Sequence, residues 1–128
     1  MSSKIAWILK DAVIGIHGRQ IAEHGGSDGV RDEGLLLSAL ARPENLYAYG
    51  DDPDLADLAA AYAFGIAKNH PFIDGNKRTG LVLARTFLKI NGADISASQD
   101  EKYATFLRLA EGSLSEEELA EWIRQKLV

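Results

Sequence analysis

The sequence predicts an all-α protein, a compact bundle of about six helices. Apolar residues recur at helical spacing in segment after segment, stop and cap signals fall between those segments, and no repeat, linker or low-complexity tract interrupts the pattern. In the first segment Ile5, Ile8, Leu9, Ala12, Val13 and Ile16 share a face, and Gly25-Gly26 supplies the stop. Whether Trp7 to Leu9 is helical or a short extended lead-in stays open. Asp32 is placed as N-cap of a second, short helix carrying Leu36, Ala39 and Leu40, which is expected to stop at Arg42-Pro43 because the residue before proline avoids the α region. Asp52-Pro53 reads as cap and first residue of a third helix whose stripe is Leu55, Leu58, Ala59, Tyr62, Ala63 and Ile66, ending near His70-Pro71. A fourth helix runs from about Asn76 to Asn91-Gly92. Its Leu81, Val82, Leu83, Ala84, Phe87, Leu88 and Ile90 leave so little polar face that it is expected to be the most buried. A fifth carries Tyr103, Phe106, Leu107 and Ala110 and stops at Gly112. Ser115 with Glu118 forms a capping box, and Leu114 with Leu119 a hydrophobic staple, for a last helix bearing Trp122, Ile123 and Leu127.

Length and composition narrow the classes of function. The 128 residues correspond to one domain, 1–128, and the 46% hydrophobic and 26% charged content is that of a soluble globular protein. A net charge of −5 argues against a general nucleic-acid or anionic-membrane surface, though a local basic cluster can still hold a phosphate. There is no cysteine, so disulfides and thiolate metal sites are excluded. Lys10 and Asp11 break the apolar N-terminal stretch, and no run reaches membrane-span length; a cytoplasmic location is the expectation.

One stretch departs from the apolar pattern. Between the third helix and the fourth, Lys68 to Gly80 reads KNHPFIDGNKRTG. The positive end of the fourth helix and its free amides point into the loop Pro71 to Gly75, which makes an anion site. Gly75 lets the backbone turn and approach a ligand, Asn76 can cap the helix or donate to an oxygen, and Lys77 and Arg78 add two charges. Phe72 is expected to point inward and anchor the loop. Asp74 makes sense against a cationic site if a divalent cation accompanies the phosphates. His70, on the rim, can take a proton from a hydroxyl nucleophile. Each part has a plainer reading: a histidine at a helix end is commonly a cap, and adjacent bases are commonly a solvated face. Two bases in a helix's first turn are electrostatically unfavourable without an anion, however, and that misfit favours a site.

The run His70-Pro71-Phe72-Ile73-Asp74-Gly75-Asn76-Lys77-Arg78 resembles the active-site motif of the Fic/Doc superfamily, His-x-Phe-x-(Asp/Glu)-Gly-Asn-Gly-Arg-x-x-Arg in its commonest form. The stretches IHGRQIAEHGGSDGVRDEGLLLSAL and FLKINGADI are similar to death-on-curing (Doc) toxins, extending the likeness over nearly the whole chain. The resemblance implies a compact helical bundle, a flap between the second and third helices that docks the target, and a bound nucleoside triphosphate. Two departures bear on the chemistry. Lys77 stands where adenylylating members have glycine, and Leu81 where they have the second arginine. Both match the Doc branch, which implies a kinase transferring the terminal phosphoryl group of ATP, with Mg2+, to a hydroxyl of an elongation factor Tu-like protein. By the same resemblance His70 is the base, Asp74 the magnesium-associated acid, Gly75, Asn76, Lys77 and Arg78 the phosphate cradle, and Asn45, Leu46, Tyr47 and Tyr49 the flap in a Pro43 to Asp52 loop.

The inhibitory element of many Fic proteins, (Ser/Thr)-x-x-x-Glu-(Gly/Asn), is not found. Glu33-Gly34, Glu44-Asn45 and Glu111-Gly112 are preceded at the required spacing by Gly29, Leu40 and Leu107. An antitoxin protein in trans is therefore expected, with an apolar groove to receive its helix. His17 and His24, on one face of the first helix, lack a carboxylate cluster at ligand spacing and read as structural. Arg31 with Asp32 is read as a local pair, and Arg85 as paired or reaching the site. An adenylyltransferase of the same fold, and a helical protein that binds an anion or partner without turnover, stand as alternatives.

Overall fold

The computed structural model describes residues 4–128, and within them the regular structure is helical: α1 (Lys10–His24), α2 (Glu33–Tyr49), α3 (Leu55–Asn69), α4 (Asn76–Ile90), α5 (Gln99–Glu111) and α6 (Glu116–Lys126). Two isolated β-bridges, Val30 with Phe72 and Ile95 with Leu127, tie loops together. Helix α3 is the axis of the bundle and packs against α2, α4 and α6, while α1 lies on α4 and α5 closes against α3 and α4.

The axial role of α3 follows from its sequence. Asp54 accepts from the Asp57 amide at 2.9 Å and Asp57 accepts from the Asp54 amide at 3.0 Å, closing a capping box. Then come residues small enough to let three helices approach at once: Ala59, Ala60, Ala61 and Ala63 are wholly buried beside Leu58, Tyr62 and Ile66. Gly65 is the closest point. A Cβ there would stand 3.0 Å from the Ala39 carbonyl oxygen of α2. The expectation that α4 is the most buried helix is thus overturned. Ala56, Gly65 and Ala67 extend α3's buried set around its circumference, whereas Leu81, Val82 and Ile90 of α4 remain at least partly exposed.

Three boundaries also differ from the sequence reading. Helix α2 continues through Pro43 to Tyr49. Proline removes the donor to the Ala39 carbonyl and normally kinks or ends a helix; here Pro43 is buried, and the closely apposed Gly65 belongs to the same contact. The α3 cap is Asp54 rather than Asp52, which sits in the loop at φ 52°. Residues 5–9 are non-helical, so the periodicity of Ile5, Ile8 and Leu9 is not helical packing. Long-range bonds hold that lead-in: the Asn91 side chain accepts from Ala6 N–H and donates to its carbonyl, both at 2.9 Å, and the Tyr62 hydroxyl accepts from Ile8 N–H at 3.1 Å. Trp7 is stacked with Phe87 at 5.8 Å.

The other termini follow the sequence signals. Ser98 caps α5, Gly112 ends it in the left-handed region, and Ser115 with Glu118 forms the box of α6 over buried Leu114 and Leu119. Arg124 reaches back to Asp54 at 2.7 Å and Asp57 at 2.9 Å, joining the last helix to the start of α3.

Candidate active site at the start of helix α4

The loop between α3 and α4 is folded by its own side chains. His70 is the C-cap of α3 in the left-handed region (φ 48°, ψ 54°), a conformation histidine adopts more readily than most residues. Pro71 then turns the chain and Phe72 dives into the core at 1% exposure. Asn76, buried in the first turn of α4, accepts from Phe72 N–H at 3.1 Å and donates to Phe72 C=O at 3.0 Å. That reciprocal pair closes the five-residue loop 72–76. The carboxamide is therefore first of all a loop clamp, and what Asn76 offers the cleft directly is its main-chain N–H.

A second layer comes from the α1–α2 loop. Arg31 and Asp32 N–H groups both donate to Pro71 C=O, at 2.7 and 3.1 Å, and Ile73 N–H donates to Gly29 C=O at 3.1 Å. The Arg31 guanidinium donates to His70 C=O at 2.8 Å and Asn69 C=O at 2.9 Å, so it does not pair with Asp32, which instead caps α2 through Leu35 N–H. The backbone of His70 is thereby fixed while its exposed ring faces the cleft.

The cleft encloses about 340 Å³ and is lined by His70, Asp74, Gly75, Lys77, Arg78 and, across from them, Tyr103. Asp74 Oδ1 accepts from Gly75 N–H at 2.8 Å, and Oδ2 lies 3.4 Å from Ser27 N. Gly75 caps α4 at φ 75°, a turn that favours glycine, and a Cβ there would also have to displace the tip of Ile21, 3.0 Å away at Cδ1. The first intrahelical bond is Thr79 N–H to Gly75 C=O, which leaves the amides of residues 76–78 outside the helix ladder. Every other helix carries an acid in its first turn; α4 carries none and has Lys77 and Arg78 instead. Arg78 lies over the Tyr103 ring at 5.4 Å. Dipole, amides and two cations converge where a polyphosphate can sit, with a carboxylate and an imidazole at its edges.

Asn45, Leu46, Tyr47 and Tyr49 occupy the last turns of α2, not a loop, because that helix runs through Pro43. Tyr47 packs edge-on against Trp7 at 5.7 Å, and Tyr49 is 87% exposed. His17 is buried and donates toward Asp74 C=O at 2.7 Å. His24 lines the cleft separately from it, and no group of three or more metal-ligating side chains occurs among the described residues. Arg85 is paired with Asp94 at 3.6 Å. Asp94 is held below the usual carboxylate range because the Ile95 amide and the Arg85 and Lys89 cations outweigh its burial. Burial, then Arg85 and Lys89, push the neighbouring Lys102 down. The sequence reading missed His17, Arg31 and Tyr103 as parts of the site. Their partners lie 57, 39 and 25 residues away, and no local pattern signals such pairs.

These features define a class, a helical protein with a candidate anion site at the amino end of one internal helix. The chain belongs to the Fic/DOC family, whose profile matches residues 7–88. It is 48% identical over 77 residues to "Toxin Doc" of Mycolicibacterium smegmatis, a match covering 59% of each protein. It is 31% identical over 118 residues to "Protein kinase doc" of Escherichia phage P1, covering 92% of this chain and 93% of the phage protein. No helix among the described residues is long and apolar enough to cross a membrane.

Proposed function

We propose that residues 1–128 act as one domain, a Doc-type toxin that transfers the terminal phosphoryl group of ATP to a hydroxyl of a translation factor of the elongation factor Tu type, and that an antitoxin restrains it in trans. The observation carrying the reading is the acid-free first turn of α4, where Lys77, Arg78 and unladdered amides face a cleft that also opens on His70 and Asp74. The phage relative's name as a kinase, over nearly its full length, supports the same branch.

The residues suit each role. His70, exposed at the rim on a fixed backbone, takes the hydroxyl proton as the oxygen attacks the terminal phosphorus; the bond from that phosphorus to the bridging oxygen breaks and ADP departs. Lys77, Arg78 and the α4 amides hold the phosphate charge in place, which is most of what phosphoryl transfer asks of a protein. Asp74 is a lone exposed carboxylate, and that donor set fits Mg2+ held chiefly by phosphate oxygens and water. The ion, when bound, neutralises charge developing on the phosphates. Leu81 supports phosphoryl over adenylyl transfer, since no guanidinium stands at that position to grip distal phosphates.

Two surfaces suit protein partners. A groove of about 550 Å³ beside the cleft suits an antitoxin helix; it is more polar than the apolar groove expected, since Leu81 and Val82 share its lining with Glu23, Arg78, Arg85 and Asp100. Exposed Tyr49, with Asn45, Leu46 and half-exposed Tyr47, suits target docking. The test offers purified target ATP labelled at the α or γ phosphate. Only γ label is expected to reach protein, and His70→Ala should lower turnover on the order of 10²–10⁴-fold with little change in nucleotide affinity. Transfer of α label would make the protein an adenylyltransferase, and binding with no transfer a non-catalytic binder.

A further inference from the structure

His17 is buried at 1% exposure in the middle of α1, far along the chain from the α3–α4 loop, and its ring is given over to that loop. It stacks on Phe72 with centroids 3.8 Å apart and planes within 5°, and its Nε2 lies 2.7 Å from the Asp74 carbonyl oxygen. A carbonyl only accepts, so Nε2 carries the proton. The facing Asp28 carboxylate is 3.6 Å from Nδ1, too far for a hydrogen bond.

We infer that His17 is a positioning residue that selects the orientation of the Asp74–Gly75 peptide. In a trans peptide the C=O and N–H point in opposite directions. Holding the Asp74 carbonyl against α1 turns the Gly75 N–H outward, where it bonds Asp74 Oδ1 at 2.8 Å and sets the carboxylate at the cleft's edge. Glycine at 75 gives the turn no preference of its own, because both signs of φ are open to it. Without the imidazole the peptide can flip, which breaks the Gly75 N–H bond that holds the Asp74 carboxylate and turns a carbonyl oxygen toward the anion. The Phe72 stack anchors the ring, so the donor is aimed by the same side chain that anchors the loop.

The phosphate arm of the test rests on the phosphoryl-transfer reading; the spectroscopic arm does not. His17→Phe keeps a ring against Phe72 and removes the donor, whereas His17→Gln places an amide nitrogen near the lost Nε2. Calorimetry with inorganic tripolyphosphate should show affinity falling on the order of tenfold in His17→Phe, as for one lost hydrogen bond, with substantial rescue in His17→Gln. Amide spectra of His17→Phe should show Gly75 and Asn76 shifted or doubled, with core amides such as Leu58 unmoved. Unchanged Gly75 and Asn76 resonances in a folded His17→Phe would overturn the inference whatever tripolyphosphate does. If the wild-type protein ignores tripolyphosphate, the phosphoryl-transfer reading fails alone, and the amide spectra still decide the role of His17. Should the variant not fold, a long-range proton–nitrogen spectrum of the wild-type imidazole decides: protonated Nε2 is expected, and a bare Nε2 would overturn it.

Discussion

Replacing Asn76 by alanine separates two roles that the motif alone leaves merged. The side chain is 7% exposed and its two polar atoms bond the amide and carbonyl of Phe72 at 3.1 and 3.0 Å. Phe72's neighbours Pro71 and Ile73 bond the α1–α2 loop, so the truncation strands Phe72's own two main-chain groups in the core. Each stranded buried group costs about 1–3 kcal/mol, and with partial relaxation the sum is roughly 2–4 kcal/mol. For a domain of this size that corresponds to a fall in Tm of roughly 6–15 °C. Circular dichroism melts measure it, beside calorimetric titration with a nonhydrolysable ATP analogue. Asn76→Asp sharpens the case: one oxygen still accepts from Phe72 N–H, but the other is an anion facing the Phe72 carbonyl. That variant should be less stable than Asn76→Ala at pH 7. Its carboxyl is raised in the folded state, so stability should be regained as pH falls toward about 4 and a proton restores the donor. An Asn76→Ala protein that melts within about 2 °C of wild type yet loses nucleotide affinity would refute the clamp and make the side chain a phosphate ligand.

The remaining expectations concern charge and packing. Asp54, bonded first by Arg124 and then by the Asp57 amide and side chain, is lowered to about 2. Its folded-state pKa is depressed, so the stability it adds is present above the ordinary aspartate value of 3.8 and is lost as pH falls through about 2. Because the pair is half-exposed, Asp54→Asn should cost only about 1 kcal/mol at pH 7 in urea titrations, with the two proteins converging near pH 2. Lys77→Ala should leave stability within about 0.5 kcal/mol of wild type, or raise it slightly, since a cation at a helix start is unfavourable; triphosphate affinity should drop about tenfold by calorimetry. Gly65→Ala forces a methyl to 3.0 Å from the Ala39 carbonyl and 3.1 Å from its Cα. These are backbone atoms, so α2 and α3 must separate, and a loss of about 1–3 kcal/mol in denaturant unfolding is expected.

Much of the fold is legible along the chain, because it rests on signals spanning only a few residues. The capping box of α6, the Gly112 stop, the start of α4 at Asn76 and the end of α3 at His70-Pro71 are all local stereochemistry, and the structure has each where the residues put it. The polar run from His70 to Arg78 is legible for the same reason: dipole, amides and cations are consecutive in sequence and meet in one turn. Misreadings occurred where tertiary contacts outweigh local preference. Pro43 is a helix stop by propensity, yet α2 continues through it, with Gly65 of α3 admitted against the Ala39 carbonyl. The Ile5 to Leu9 periodicity looks helical, yet Asn91 and Tyr62 hold that segment's main-chain groups in an extended lead-in. Asp52 looks like a cap, yet Asp54 has Arg124 and Asp57 to support it.

The sequence by itself determined that the protein is helical and that it belongs with Fic/Doc chains, and it pointed to a candidate site at the start of the fourth helix, since each of these depends on residues that are neighbours in the chain. Only the tertiary structure decided which helix forms the axis, what Asn76 does with its side chain, and that His17 and Arg31 grip the α3–α4 loop from 57 and 39 residues away. The physical reason is the separation of the partners. A hydrogen bond across such a distance depends on how the helices pack, and packing is a property of the whole core rather than of any window of residues.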